Sequence, residues 1–151
     1  MKKSVILIIF AVYILSICVV GFFGIKVRMY NETINVESIQ ITEVKLADGT
    51  NVEIKPDKSG KPSALYFCKN SGETVTFKIY YQINPANATD PTVSLLYDDS
   101  NPNVLVTKAS GESAILVTFT NVTMPVSLNL TIASKVISTI RDSISLTVIY
   151  V

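Results

Sequence analysis

Residues 98–101, Asp-Asp-Ser-Asn, form the stretch with the most potential ligands for a metal ion. Carboxylate and amide oxygens on a flexible loop suit Ca²⁺. The stretch lacks the glycine and the distal glutamate that mark calcium-binding loops, and its residue types are equally typical of an Asx-rich turn. We therefore predict a turn here and no metal site.

The chain contains no histidine, so the commonest general base and the commonest metal ligand are missing. No serine lies in a nucleophile elbow or beside a recognisable partner. The sequence therefore predicts no catalytic, cofactor-binding or metal-binding residues, and we expect a protein that is not an enzyme. The 13 Lys plus Arg residues nearly balance the 12 Asp plus Glu residues without forming a basic patch, which argues against nucleic-acid binding.

The two cysteines, Cys18 and Cys68, lie in different environments. Cys18 belongs to an apolar N-terminal segment, so Cys68 is alone in the rest of the chain and no internal disulfide is expected there. Because Cys68 follows the apolar residues 65–67, we predict a buried small side chain. A disulfide between two chains is the alternative.

Four Asn-x-Thr triplets begin at Asn31, Asn87, Asn121 and Asn129. They fit the acceptor pattern for N-glycosylation. Whether carbohydrate is attached depends on the organism, and in a bacterial protein we predict only solvent-facing strand and turn residues.

The segment Ser4 to Ile25 contains no charged residue and directly follows Lys2 and Lys3. A helix of this length spans about 30 Å, enough to cross the hydrocarbon core of a membrane. We predict that residues 1–28 form a cytoplasmic tip and a transmembrane anchor, with membrane contact through residues 4–25. A short basic flank stays easily in the cytoplasm, so we place the chain after Arg28 outside the cell membrane.

Two alternatives to this anchor stay open. A cleaved signal peptide would end best at Gly21, but the apolar segment is longer and bulkier than a signal core. Lipid attachment at Cys18 would require a small residue where Ile17 stands.

Beyond a short polar stalk at residues 29–35, residues 36–151 form a single domain by size. Apolar and polar residues alternate clearly over Glu73–Ile83, and similar short segments recur to the end of the chain. A change of phase after Ile41 predicts either a β-bulge or a strand that changes sheets. This spacing is typical of a β-sandwich or small barrel, while residues 136–142 fit either a helical turn or an extended hairpin.

Gly72-Glu73-Thr74, the strand after it and the loop 84–90 (Asn-Pro-Ala-Asn-Ala-Thr-Asp) resemble the bacterial Ig-like domains of group 2, found in intimin- and invasin-type surface proteins. The segment Thr92–Tyr97 and the turn 100–104 (Ser-Asn-Pro-Asn-Val) extend the resemblance, with Leu95 where the family usually has Trp. The resemblance implies an all-β, Ig-like β-sandwich with a structural or adhesive role.

From these features we expect a membrane-anchored extracytoplasmic module with a structural, adhesive or protein-binding role, whose ligand would be a protein or a surface glycan. An accessory subunit of a cell-envelope or secretion complex is the alternative function. The segment Ile144–Val151, apolar on both faces at its end, fits either a strand at a sheet edge that docks onto a partner or a buried strand of the sandwich. The oligomeric state is open at this stage.

Overall fold

The computed structural model describes residues 2–30 and 33–151. In these residues the chain forms one helix and ten strands. It divides into two compact units, Met1–Thr33 and Ile34–Val151. The triplet that begins at Asn31 lies outside the described residues.

The first unit contains the helix α1, Lys2–Tyr30. Its segment Lys3–Phe22 has a mean hydropathy of 3.0 and is long and apolar enough to cross a membrane. A signal sequence near an N-terminus has the same properties, so length and composition do not separate the two. The helix continues two residues past the predicted anchor boundary at residue 28.

The second unit contains all the strands. They are β1 (Ser38–Leu46), β2 (Asn51–Val52), β3 (Ile54–Pro56), β4 (Pro62–Cys68), β5 (Glu73–Asn84), β6 (Val93–Leu96), β7 (Val104–Lys108), β8 (Ala114–Val122), β9 (Val126–Ser134) and β10 (Arg141–Tyr150).

The strands form two five-stranded sheets. The first sheet has the order β2-β1-β5-β8-β7, and the second has the order β3-β4-β10-β9-β6. Neighbouring strands are antiparallel except β4 and β10, which run parallel. The prediction of a mostly β, sandwich-like domain after one apolar helix is confirmed at this level.

The inner side chains of both sheets fill one apolar layer. Phe77 of β5 packs edge-on against Phe119 of β8 and Tyr66 of β4, with ring centroids 5.8 and 6.5 Å apart respectively. Ile132 and Leu146 of the second sheet are fully buried in the same core. Because Tyr66 and Phe77 belong to different sheets, their contact joins the two halves of the sandwich.

The two lateral sides of the sandwich are closed in different ways. On one side, the chain from Asn51 to Pro56 pairs first with β1 of the first sheet and then with β4 of the second. On the other side, Lys108 at the end of β7 donates a hydrogen bond from Nζ to the carbonyl of Val93 in β6. Both links join the edge of one sheet to the edge of the other.

Of the two alternatives for the change of phase after Ile41, the bulge is observed in β1. Its register with β5 shifts between Ile41 and Glu43, after which Val44 is again buried. The Ile41 N–H donates to Oδ2 of Asp142 in β10 at 2.8 Å, while Oδ1 of Asp142 accepts from the Ser143 N–H at 2.8 Å. Asp142 therefore links the bulge of the first sheet to the central strand of the second.

β10 lies between β4 and β9, in the middle of the second sheet. The alternative of a docking strand at a sheet edge is therefore wrong for residues 144–150, because both sides of β10 are already paired. Residues 135–140 form the turn of the β9–β10 hairpin, with Ser134 Oγ accepting from the Ile137 N–H at 3.2 Å. Of the two alternatives for residues 136–142, the extended hairpin is observed.

We predict that Asp142→Ala lowers the free energy of unfolding by about 1–3 kcal/mol, because the half-buried Ile41 N–H loses its acceptor. Asp142→Asn, which keeps an acceptor oxygen, serves as the matched control and is expected to lose less. Urea unfolding of the full chain in detergent measures the difference, and hydrogen exchange at the Ile41 amide localises it. Equal losses in both variants would show that this hydrogen bond contributes little.

Candidate binding surfaces

The acidic stretch at residues 98–101 forms a turn stabilised by its own side chains. Oδ1 of Asp98 accepts from the Ser100 N–H at 3.0 Å, and Oδ1 of Asn101 accepts from the Asn103 N–H at 3.0 Å. The hydrogen bond from the Ser100 backbone lowers the pKa of Asp98. Within residues 2–30 and 33–151, no three His, Cys, Asp or Glu side chains form a group able to hold a metal ion.

The other singled-out residues do not come together into one site. Asn87, Asn121 and Asn129 are exposed and lie on a loop, at the end of β8 and in the middle of β9. Cys68 is fully buried, as predicted, and its Sγ lies 3.5 Å from the Ile149 carbonyl oxygen. Cys18 is exposed on α1. Within the described residues these side chains therefore lie apart and form no common cluster.

The outer face of the first sheet is charged, and its charges are paired. Lys45 lies 3.0 Å from Glu43, and Lys78 lies 2.6 Å from Glu112. Both ammonium groups also approach the ring of Tyr80, at 5.4 and 5.1 Å from its centroid. The hydrogen bond to Glu112, followed by that to Tyr80, raises the pKa of Lys78. This is the ordinary surface of a sandwich that faces water.

The outer face of the second sheet is different. By the strand registers, twelve outward positions of four adjacent strands hold no charged side chain, and we call them the neutral face. They are Ser63, Leu65 and Phe67 of β4, Ser143, Ser145, Thr147 and Ile149 of β10, Ser127, Asn129 and Thr131 of β9, and Ser94 and Leu96 of β6. The charged outward residue of these strands is Arg141, at the start of β10.

Hydroxyl groups on the neutral face bond to each other across strands. Ser127 and Thr147 are 3.1 Å apart between their hydroxyl oxygens, and Thr131 and Ser143 are 2.8 Å apart. These pairs satisfy part of the hydrogen-bonding capacity of the face without solvent. Covering them therefore costs less than covering unpaired polar groups.

The large apolar side chains of the neutral face lie near two opposite corners. Leu65 and Phe67 are 45% and 53% exposed at the end of β4, and Leu96 is 52% exposed on β6. Phe67 and Ile149 are side by side in the parallel pairing of β4 with β10. A single exposed apolar side chain is ordinary on a protein surface, but a cluster such as Leu65, Phe67 and Ile149 is a feature of protein interfaces.

A shallow hollow flanks the neutral face on each side. The basic hollow, of about 430 Å³, is lined by two cationic side chains, Lys61 and Arg141, and one anionic side chain, Asp142, together with Asn129, Thr131, Ser143 and Ser145. The acidic hollow, of about 320 Å³, is lined by Asp98 and Ser100 together with Ser127, Asn129 and Val104 of the first sheet. Within residues 33–151, neither Lys61 nor Arg141 has an acidic side chain within salt-bridge distance.

The neutral face was not predicted from the sequence. The relevant signal is present in β9 and β10, where the residues between the buried ones are Ser, Asn, Thr and Ile. Each strand alone has the composition of an ordinary strand with one buried face and one solvent-exposed face. Only the observed strand order shows that the uncharged positions of four strands are neighbours.

The Asp57 loop beside the basic hollow generates a prediction for acid conditions. Oδ1 of Asp57 accepts from the Ser59 and Lys61 N–H groups at 2.7 and 2.9 Å, and the Lys61 backbone bond is the main cause of its lowered pKa. Its carboxylate therefore stabilises the loop above the ordinary pKa of 3.8, and this contribution is lost as the pH falls through the lower folded value.

We expect the Ser59 and Lys61 amide NMR signals of the full chain to shift together with a midpoint below pH 3.8. Asp57→Asn, which cannot titrate there, is the control and should abolish the shift. A midpoint at or above 3.8 in the unmodified chain would contradict the assigned role of the two hydrogen bonds.

Comparison with known proteins adds no assignment to these surfaces. No protein family, no curated protein and no solved structure matches this chain.

Proposed function

We propose that this chain is a membrane-anchored, extracytoplasmic Ig-like module that binds a protein through its neutral face. The neutral face carries the proposal, because twelve adjacent uncharged positions that include exposed Phe67 have the composition of an interface centre. Charged residues such as Lys61 and Arg141 stand at its margin. A polar rim around an uncharged centre is the usual anatomy of a protein interface.

The strand order supports the Ig-like part of the proposal. In Ig domains one sheet has the order A-B-E-D and the other contains C, F and G. If β1, β5, β8 and β7 are assigned as strands A, B, E and D, then β6, β9 and β10 of the other sheet correspond to C, F and G. In this assignment β4 is an added strand beside G, and β2 and β3 lie at the sheet edges.

The segments that resemble the group 2 bacterial domains occupy matching places. Gly72 has a φ of 78°, a conformation that favours glycine, and its N–H donates to the Val122 carbonyl at the start of β5. The loop 84–90 follows β5, and Leu95 lies on β6 with its side chain against the core. These positions are consistent with an Ig-like sandwich in which Leu95 replaces the usual Trp.

The anchor part of the proposal rests on α1. Its described side chains between Ser4 and Phe22 are exposed, as a helix surrounded by lipid requires. Lys2 and Lys3 precede the apolar segment, which favours a cytoplasmic N-terminus and an exported β domain.

We expect an epitope tag placed after Val151 to be removed by protease from intact cells, while the untreated chain remains in the membrane fraction. The exported orientation of the β domain is the reason. Loss of membrane association would indicate that α1 is cleaved as a signal. A tag that is cut only after lysis would overturn the extracytoplasmic placement.

A photo-crosslinking side chain at Phe67 tests the binding surface in the full membrane-bound chain. We expect an adduct from Phe67 and none from Leu105, a matched position that is 60% exposed on β7 in the other sheet. Equal labelling from both positions would contradict binding through the neutral face. Adducts to several different membrane proteins would favour the accessory-subunit function.

A further inference from the structure

We propose that the partner of the neutral face is a second copy of this chain, joined to it by a two-fold axis that lies in the plane of the face. This inference rests on the proposed function, since it names the protein that the face binds. Three features support it: the absence of charge repulsion, the diagonal arrangement of the apolar residues, and the opposite charges of the two hollows.

A two-fold contact places a patch against its own copy, so a patch with charges near the axis sets like charges against each other. On the first sheet, such a contact would bury the Lys45–Glu43 and Lys78–Glu112 ion pairs and desolvate four charged groups. The twelve positions of the neutral face are uncharged, and Arg141 lies at the start of β10, six residues from Thr147. The second sheet is therefore the surface of this domain that suits self-association.

Phe67, Thr147, Asn129 and Leu96 lie along one diagonal of the neutral face. Each of these residues is displaced from the one before it by one strand and by two residues along the strand. This follows from the observed pairing of Phe67 with Ile149, Thr147 with Ser127, Asn129 with Ser145 and Leu96 with Thr131. A two-fold axis along this diagonal sets each of the four against its own copy. The two apolar corners then meet apolar corners, and the polar middle meets the polar middle.

The same axis exchanges the two sides of the diagonal. Leu65 and Ile149 lie on opposite sides of the diagonal next to Phe67. Leu65 of one chain therefore packs near Ile149 of the other chain, and together they enclose the ring of Phe67. The basic hollow with Lys61 lies on one side, and the acidic hollow with Asp98 lies on the other. The axis therefore places the basic hollow of each copy over the acidic hollow of the other, which gives complementary charge at the rim.

The neutral face is smaller than a whole stable interface. Its four strands contain 30 residues, which at a rise of about 3.3 Å and a strand spacing of about 4.8 Å give a face of roughly 480 Å². Stable interfaces bury about 800 Å² on each partner, so the face supplies somewhat more than half of this area and the flanking loops supply the rest. Two copies anchored in one membrane would also have a raised effective concentration.

Disulfide trapping in membranes tests the axis directly. In a full chain with Cys18→Ser, we expect Thr147→Cys to form a dimer of twice the 16.5-kDa chain under mild oxidation. Thr118→Cys is the matched control, because Thr118 is equally half-exposed in mid-strand and loses a comparable hydroxyl pair, with Thr76 at 3.0 Å. Equal trapping at both positions, or none at Thr147, would overturn self-pairing about this axis.

Charge substitutions at Thr147 provide a second test with a built-in rescue. We expect Thr147→Glu alone and Thr147→Lys alone to reduce co-purification of two differently tagged copies roughly tenfold. Co-expression of the Glu variant with the Lys variant should restore it. Failure of the mixed pair to recover, while both variants fold, would overturn the proposal. Cys68 reports folding in these variants, because its buried thiol stays unreactive only in the folded domain.

The outcome also separates this inference from the proposed function. An adduct from Phe67 to a different protein, without disulfide trapping at Thr147, would overturn the second copy as partner and leave the binding function standing. No adduct from Phe67 and no trapping would overturn both.

Discussion

The β domain depends on one constraint: alternate side chains of two sheets must fill a single apolar layer, and no disulfide cross-links them. Phe77 is at the centre of this layer, edge-on to Phe119 in its own sheet and to Tyr66 in the other. Because side chains alternate with a period of two, a slip of one residue in β5 would bring Lys78 into the core. The bulge after Ile41 lets β1 change phase and still bury Val44.

The outer faces of the sheets do not have to fill the apolar layer. Their composition can therefore indicate what they contact, whereas the composition of the core reflects packing alone. The core would be equally filled if both outer faces carried the paired charges seen around Tyr80. The second sheet instead combines Ser, Thr and Asn with exposed Phe67 and Leu96. Nothing in the packing of the core requires that choice, and the proposed binding of another protein would account for it.

Much of the domain could be predicted from local pattern, because a period of two is visible within a single strand. The strand Glu73–Ile83, the bulge and the burial of Cys68 follow from neighbouring residues and are observed. Pairings between distant segments have no such local signal. The parallel pairing of β4 with β10, and hence the central position of Ile144–Tyr150, depends on residues about 80 positions apart. The neutral face was missed for the same reason, because it exists only once β4, β10, β9 and β6 are neighbours.

The central place of β10 has a consequence for how the domain is made. Of the ten strands, β10 is the last to leave the ribosome, yet it separates β4 from β9 in the second sheet. Until it arrives, β4 lacks its parallel neighbour and β9 exposes one unpaired edge to solvent. The second sheet therefore closes only after synthesis has passed residue 150. An exported chain of this topology would cross the membrane unfinished and complete its fold on the far side.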